Sequence, residues 1–326
     1  MTPPPVHLQG PVPVLLVLRA LGLGDLLVAV PALRALRRAF PEHRTVLAAP
    51  AALEPLVART GAVDALVPAP GPDRIAWTGP APDVVVNLHG CGPQSHRALD
   101  ALEPRRRIGF ALPAGDGPAW DGPVWADDAG HERERWCALL TAHDVTADPS
   151  DLRLAPPPGA GTGPVVVHPG AAFGSRRWPA ERFAAVAAAI AGAGHDVVVT
   201  GSADERGLAV AVARAAGLPP DRVLAGRTGV AELVDLVGTA RLVVSGDTGV
   251  AHLASAFATP SVVLFGPVPP ERWGPPPGPH TVLTGPVRAG ERFADEPDPA
   301  LLAVGVDDVL AAAARLLDAR GRTEVA

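Results

Sequence analysis

The segment SGDTGVAH, residues 245–252, places a carboxyl, a hydroxyl and an imidazole around two glycines, between an apolar run and a helical pattern. A strand, a tight turn and an immediate helix leave backbone N–H groups pointing out of the turn, where they attract anions. Thr248 adds a hydroxyl donor, and His252 lies one helical turn further on the same side. The segment is suited to a nucleotide diphosphate. The alternative is that Asp247 and Thr248 only cap the helix.

Apolar strand-like runs alternate with amphipathic helical patterns along the chain, which is typical of parallel sheets covered by helices on both faces. The predicted strands are 14–18, 45–48, 65–67, 83–87, 165–167, 196–200, 222–224, 241–244 and 261–265. The predicted helices are 26–40, 51–59, 131–143, 181–191, 205–216, 230–237, 250–257 and 306–317. Ligands bind beyond the carboxyl ends of strands in such sheets. The expected walls of the site are therefore the loops that begin at Arg19, His168, Gly201 and Gly246.

The first strand is followed by the glycine turn LGLGD, residues 21–25, and then by a long helical pattern. A dinucleotide fingerprint requires G-x-G-x-x-G, and the third glycine is missing here. We therefore discount an NAD site.

The composition predicts a soluble globular protein of two domains, because 326 residues with 48% hydrophobic content can bury a large core. All 28 basic residues are arginine, and the net charge is −6. The only run of three basic residues, 105–107, is interpreted as a solvated turn into a strand. A nucleic-acid surface needs a clustered basic patch, so no nucleic-acid partner is expected.

Cys91 and Cys137 form neither a metal-ligand spacing nor a disulfide framework, which predicts a cytoplasmic location. No apolar stretch reaches the roughly 18 residues of a membrane span, and the Pro-rich start at 1–13 lacks a signal-peptide pattern. Peripheral contact with a membrane stays open.

Residues 144–163 are rich in Pro, Gly and Ala and show little periodicity, as expected of a linker. We place the domains at 1–155 and 156–326. Whether the final helix, 306–326, packs back on the first domain is left open.

Three motifs carry a resemblance to a known family. They are LRALGLGDLLVAVPALRALRRAFP around residues 19–41, HPGAAFGSRRWP at 168–179, and DTGVAHLASAFATPSVVLFGP at 247–267. In this order and at these separations they resemble glycosyltransferase family 9, the ADP-heptose:lipopolysaccharide heptosyltransferases.

The resemblance implies an α/β protein of the GT-B fold, in which two Rossmann-like domains face each other across a cleft. It also implies an inverting reaction without a metal or cofactor, with Asp25 as general base and Arg176 facing the donor phosphates. The donor side would consist of Thr248, Gly249, Asp247, His252, Glu205, Gly246 and Arg177. The acceptor side would consist of Leu23, Gly24 and His89.

The chemistry of these residues agrees with that reaction. Displacement at an anomeric carbon needs a carboxylate that removes the acceptor proton and a group that holds charge on the leaving diphosphate. The helix dipole favours the ionised form of Asp25 at a helix start. Arg176 stands where many family members carry Lys, and its guanidinium can hold a phosphate through two hydrogen bonds. Arg177 is the alternative candidate for the contact with the donor phosphates.

Each assignment has a structural alternative. Asp25 would simply cap its helix; Arg176 would pack its stem on Trp178; Glu205 would be an acid in the first turn of a helix rather than a ligand of the ribose. The two histidines His168 and His252 would be a loop histidine bonded to backbone and a satisfied helix histidine. Neither shows metal-ligand spacing, and no D-x-D pair occurs in the sequence.

The sequence therefore predicts a glycosyltransferase that moves a heptose or a related sugar from an ADP-sugar to a hydroxyl acceptor on a glycan or natural product. Two alternatives stay open. One is a nucleotide-sugar 2-epimerase of similar fold, and the other is a nucleotide-sugar-binding protein without activity.

Overall fold

A computed structural model describes residues 12–127 and 130–324, and it divides the chain into two compact α/β units, Met1–Leu152 and Arg153–Ala326. The predicted fold class of two Rossmann-like α/β units is confirmed. The predicted boundary lies three residues beyond this division. Most of the Pro-rich start at 1–13 lies outside the described residues.

The first unit is built on five parallel strands in the order β3-β2-β1-β4-β5. The strands are β1 Val14–Leu18, β2 Arg44–Ala49, β3 Ala65–Pro68, β4 Val84–Asn87 and β5 Arg106–Ile108. The helices are α1 Leu23–Ala39, α2 Glu54–Arg59, α3 Pro93–Asp100 and α4 Glu132–Thr141. Strand order reverses between β1 and β4, and ligands of open α/β sheets bind at such a point.

β1 is buried along its whole length, and α1 packs against α4 on one face of the sheet. Ten residues of α1 are buried, whereas Arg37 and Arg38 close its last turn, where the helix dipole favours cations. Two sequence predictions need correction here. Arg106 and Arg107 lie in β5 rather than in a turn, and α3 was not predicted because only three of its eight residues are buried.

The second unit also has five parallel strands, in the order β10-β9-β8-β6-β7. The strands are β6 Val165–His168, β7 Val197–Val199, β8 Leu242–Gly246, β9 Ser261–Leu264 and β10 His280–Leu283. The helices are α5 Ala180–Gly192, α6 Arg206–Ala215, α7 Val230–Thr239, α8 Gly249–Phe257, α9 Pro270–Trp273, α10 Pro299–Leu302 and α11 Val306–Glu324.

The strand predicted at 222–224 is reduced to a single bridge between Val223 and Val199. A 3-10 turn at Pro220–Arg222 ends just before it, and Gly226 turns the chain just after it with φ of +68°, so a longer strand has no room. Counted with this bridge, the strand order of the unit corresponds to the 3-2-1-4-5-6 order of Rossmann folds. β10 was not predicted, since its four residues are only half-buried.

The final helix lies against the second unit. Val309, Ala312 and Ala313 belong to that unit's core, and α11 contacts α5 and strands β8 to β10. Trp178 closes the same core and donates its indole N–H to the Val304 carbonyl at 3.1 Å. None of the helices in the described ranges is both long and apolar enough to span a membrane.

His280 on β10 makes the stability of the second unit dependent on pH. Burial, and to a smaller extent the charge of Arg153, lowers the pKa of His280 from 6.5 to about 4. Between these values the unfolded chain binds the proton and the folded chain does not, so the free energy of unfolding falls as pH falls from 6.5 to 4. We expect this histidine to contribute about 1 kcal/mol per pH unit.

Urea unfolding at pH 7.5 and pH 5 measures this contribution. His280→Gln is expected to lose less stability between the two pH values than the parent chain, whereas His195→Gln, at a half-buried histidine of the same unit, should follow the parent. Equal losses in the parent and His280→Gln would contradict the assignment.

Candidate functional site

Asp25 lies in the first turn of α1, just after the carboxyl end of β1. The helix is capped by Gly22, which has no side chain to contribute, so the alternative that Asp25 is the N-cap is wrong. The carboxylate is one-third exposed. Leu23 and Gly24, the first two residues of the helix, are half-buried beside it. Asp25 thus lies at the carboxyl edge of the first sheet, and solvent or a ligand can reach its carboxylate.

Arg19 is the fully buried partner of this acid. Its Nη2 lies 3.4 Å from Asp25 Oδ1, and its Nε donates to the Asp25 carbonyl at 3.0 Å. Burial lowers the pKa of Arg19, while the charges of Asp25 and Glu132 raise it. The guanidinium and the carboxylate therefore form an ion pair just after the end of β1.

His89 follows β4, the strand next to β1, and its backbone N–H donates to Asn87 Oδ1 at 3.0 Å. The pKa of His89 is lowered by burial first and by Arg19 second, against the opposing effect of Asp25. Its Nδ1 is buried and finds no hydrogen-bond partner in the part of the chain that the structure describes. His89 and Asp25 thus follow the two neighbouring strands between which the strand order reverses.

The turn after β8 has the geometry that the sequence predicts. Gly246 ends the strand, Thr248 occupies the N-cap position of α8, and Gly249 is the first helical residue. The Thr248 side chain does not cap the helix, and its buried Oγ1 has no hydrogen-bond partner among the described residues. The first amides of a helix have no acceptor within the helix itself. Amides and an orphan hydroxyl are thus available to an anion, and helix capping does not explain Thr248.

Arg176, Asp247 and His252 meet beside this turn. Asp247 is 8% exposed; its Oδ2 lies 3.9 Å from Arg176 Nη1, and its Oδ1 lies 4.0 Å from His252 Nε2. The His252 ring also contacts Trp273 edge-on, with 5.8 Å between ring centroids. The buried carboxylate thus lies between two basic side chains, and Arg176 keeps about a quarter of its side chain exposed.

Arg177 has a different environment. It is exposed, and its Nε donates to the Ala171 carbonyl at 2.9 Å. The arginine over the Trp178 ring is Arg182, with its guanidinium carbon 6.0 Å from the ring centroid. The structure therefore groups Arg176, rather than Arg177, with Asp247 beside the turn after β8.

Glu205 lies in the loop after β7, at the N-cap position of α6. Its Oε2 accepts from the Ser202 N–H at 2.8 Å, and its carboxylate fills the space where a Cβ on Gly170 would stand, 2.3 Å away. Burial lowers the pKa of His168, which Glu205 opposes. His168 Nδ1 pairs with Thr200 Oγ1 at 3.0 Å, so the prediction of a loop histidine bonded to backbone is wrong.

Removing the orphan hydroxyl of Thr248 is expected to affect stability and ADP binding differently. Thr248→Val removes a buried donor that makes no bond in the described structure, so the free energy of unfolding should stay level or rise by about 1 kcal/mol. If the hydroxyl binds phosphate, ADP affinity should fall about 3- to 10-fold.

Thr259→Val is the control, because Thr259 is a buried threonine of the same unit whose hydroxyl donates to the Val237 carbonyl at 2.9 Å. It should lose stability and keep its ADP affinity. Calorimetric titration with ADP and urea unfolding measure both quantities. Unchanged ADP affinity in Thr248→Val would exclude the hydroxyl from the site.

Sequence reasoning placed the loops that begin at Arg19 and His168 at the site, but it gave no individual role to Arg19, Gly170 or Trp273. The position of Arg19, directly after an apolar strand and before the glycine turn, was the available signal. The sequence does not show that Gly170 meets Glu205 or that Trp273 meets His252, because both contacts join residues that are distant in the chain. Among the described residues, no group of three or more His, Cys, Asp or Glu side chains is arranged to hold a metal ion.

The sequence matches the model of one protein family. Residues 138–293 match the sequence model of glycosyltransferase family 9 (heptosyltransferase). The match includes Arg176, Glu205 and the turn at 246–249, but not Asp25. No curated protein sequence matches the chain. The resemblance drawn from the three motifs is confirmed.

Comparison by structure gives the same fold over nearly the whole chain. ADP-heptose LPS heptosyltransferase II of E. coli superposes with a TM-score of 0.78 at 22% identity, covering 94% of this chain and 99% of the other. A family 9 glycosyltransferase from Veillonella parvula gives 0.76 at 20% identity, covering 94% and 97%. E. coli heptosyltransferase WaaC, solved with ADP, gives 0.70 at 19% identity, covering 93% and 99%.

Proposed function

We propose that this chain, whose residues 138–293 match the model of glycosyltransferase family 9, transfers a heptose or a related sugar from an ADP-sugar to a hydroxyl acceptor, with inversion. Two structural neighbours support this choice, because one is named for ADP-heptose and another was solved with ADP. The observation that carries the proposal is the turn after β8, where free helix amides and the orphan Thr248 hydroxyl stand beside Arg176.

The proposed reaction is a direct displacement. The acceptor oxygen forms a bond to the anomeric carbon while the bond from that carbon to the diphosphate oxygen breaks. Asp25 takes the proton of the acceptor hydroxyl, as a general base. Arg176, the Thr248 hydroxyl and the first amides of α8 hold the charge that develops on the leaving ADP.

The remaining predicted residues have supporting roles in this proposal. Gly246 and Gly249 let the backbone approach the diphosphate, and Asp247 and His252 flank it. Glu205 binds the ribose hydroxyls, after exchanging its bond to Ser202 for the ligand. Leu23, Gly24 and His89 line the acceptor side. No metal or other cofactor takes part, and we place the reaction in the cytoplasm.

Melting temperatures with ADP, UDP, GDP and TDP test the nucleotide, because a ligand of the folded state raises the melting temperature according to its affinity. ADP is expected to give the largest rise. Incubation of ADP-heptose with glycan and small-molecule hydroxyl acceptors then tests transfer, with a chelator present in a parallel series to test metal independence.

The same assay separates the alternatives. Without an acceptor, an epimerase turns its nucleotide sugar over, a transferase only hydrolyses it slowly, and a binding protein leaves it intact. Preference for UDP, or fast conversion without an acceptor, would overturn the proposal.

A further inference from the structure

Arg19 is buried in a way that needs explanation. Its side chain is 1% exposed directly after β1, and removing a charge from water is costly unless hydrogen bonds and opposite charges compensate for it. An arginine with only a packing role would keep its charged end in solvent. The contacts of the guanidinium therefore indicate what the buried charge does.

The guanidinium contacts three oxygens and one ring. Nε donates to the Asp25 carbonyl at 3.0 Å, Nη2 lies 3.4 Å from Asp25 Oδ1, and Nη1 donates to the carbonyl of Leu88 in the loop after β4. The face of the group lies on the Trp136 ring of α4, 4.6 Å from the ring centroid. The ring fixes the plane of the guanidinium, and the three oxygens fix its rotation within that plane.

We propose that Arg19 is a positioning residue for Asp25, holding both its backbone and its Oδ1 so that Oδ2 is the oxygen that receives the acceptor proton. The inference rests on the proposed function, in which Asp25 is the base. Gly22 agrees with it, since a Cβ there would lie 3.6 Å from Oδ2 and glycine leaves that side uncovered. Arg19 itself touches neither substrate nor the reacting atoms.

A second buried arginine of the same unit provides a comparison. Arg135 pairs with Glu132 at 3.1 Å and lies over the Trp125 ring at 4.1 Å. It shares burial, an acidic partner and an indole with Arg19, but it contacts Glu132, the Ala126 carbonyl and the Trp125 ring rather than Asp25. Arg135→Met thus controls for the loss of a buried charge without loss of the contact to the base.

The first test is steady-state kinetics of the full chain with ADP-heptose. Arg19→Met should lower kcat about 10- to 100-fold and leave the KM for the donor and the Kd for ADP unchanged. Arg19→Lys restores the charge without the planar fork, so it should recover only part of kcat. Unchanged kcat in Arg19→Met, or a parallel rise in donor KM, would overturn the proposal.

The second test is a double-variant cycle, because a residue that acts only through Asp25 has no effect once the base is gone. Adding Arg19→Met to Asp25→Asn should cause no further loss of the residual transfer. Any effect of Arg135→Met should be the same in both backgrounds. If the double variant instead loses activity by the product of the two single losses, Arg19 has a structural role and the inference is refuted.

Crystal structures of the two methionine variants provide a readout that does not depend on activity. The Asp25 carboxylate should move by more than about 1 Å in Arg19→Met and keep its place in Arg135→Met. A carboxylate in place in both variants refutes positioning even if no ADP-sugar is a substrate. Absence of transfer by the parent chain, by contrast, refutes the proposed function and leaves the structural result to decide the role of Arg19.

Discussion

Replacing Asp25 by asparagine is expected to reduce sugar transfer by about 10²- to 10⁴-fold, the range that a positioned general base contributes. The amide has nearly the shape of the carboxylate but cannot accept the proton of the acceptor hydroxyl. ADP affinity should stay unchanged, because no proposed ligand of the diphosphate lies in the first unit. Steady-state transfer assays and calorimetric titration with ADP measure the two quantities.

The control is Asp73→Asn, at an exposed aspartate of the same unit whose side chain is 61% accessible. It should behave like the parent chain in both measurements. Transfer at the parent rate by Asp25→Asn would show that another group removes the proton. Loss of ADP binding together with activity would instead assign Asp25 to the donor site.

Arg176→Ala is expected to have the second largest effect, a fall in kcat of about 10²- to 10³-fold, comparable with the loss of one preorganised donor to a developing negative charge. The Arg176 guanidinium lies 3.9 Å from the buried Asp247 carboxylate at the start of α8, so its positive charge stands close to the proposed diphosphate site. Arg176→Lys should recover part of the rate, because Lys supplies the charge without the two-pronged geometry.

Arg177→Ala is the matched variant in the next position. The Arg177 guanidinium donates to the Ala171 carbonyl and is exposed, so its loss should change kcat less than about 3-fold, in the range of surface substitutions. Single-turnover measurements with saturating donor compare the two variants directly. A large loss in Arg177→Ala with a normal rate in Arg176→Ala would reverse the assignment of the phosphate-binding arginine.

Local sequence was sufficient to predict elements whose pattern is complete within a few residues. The apolar run at 14–18 is a buried strand, and the glycine turn at 246–249 precedes a helix, as predicted. Elements that depend on distant partners were missed. β10 pairs with β9 through backbone hydrogen bonds that any sequence offers, and its half-buried side chains leave little periodicity.

The candidate site divides in the same way. The sequence by itself determined the residue types: an acid after the first strand, a glycine turn with a hydroxyl before α8, and a basic loop before Trp178. Only the tertiary structure decided which side chains meet, pairing Asp25 with buried Arg19 and Asp247 with Arg176 and His252. The physical reason is the separation in sequence between the residues that interact. Turn and helix preferences act between neighbours in the chain, whereas ion pairs and burial depend on groups that parallel strands bring to one edge of a sheet.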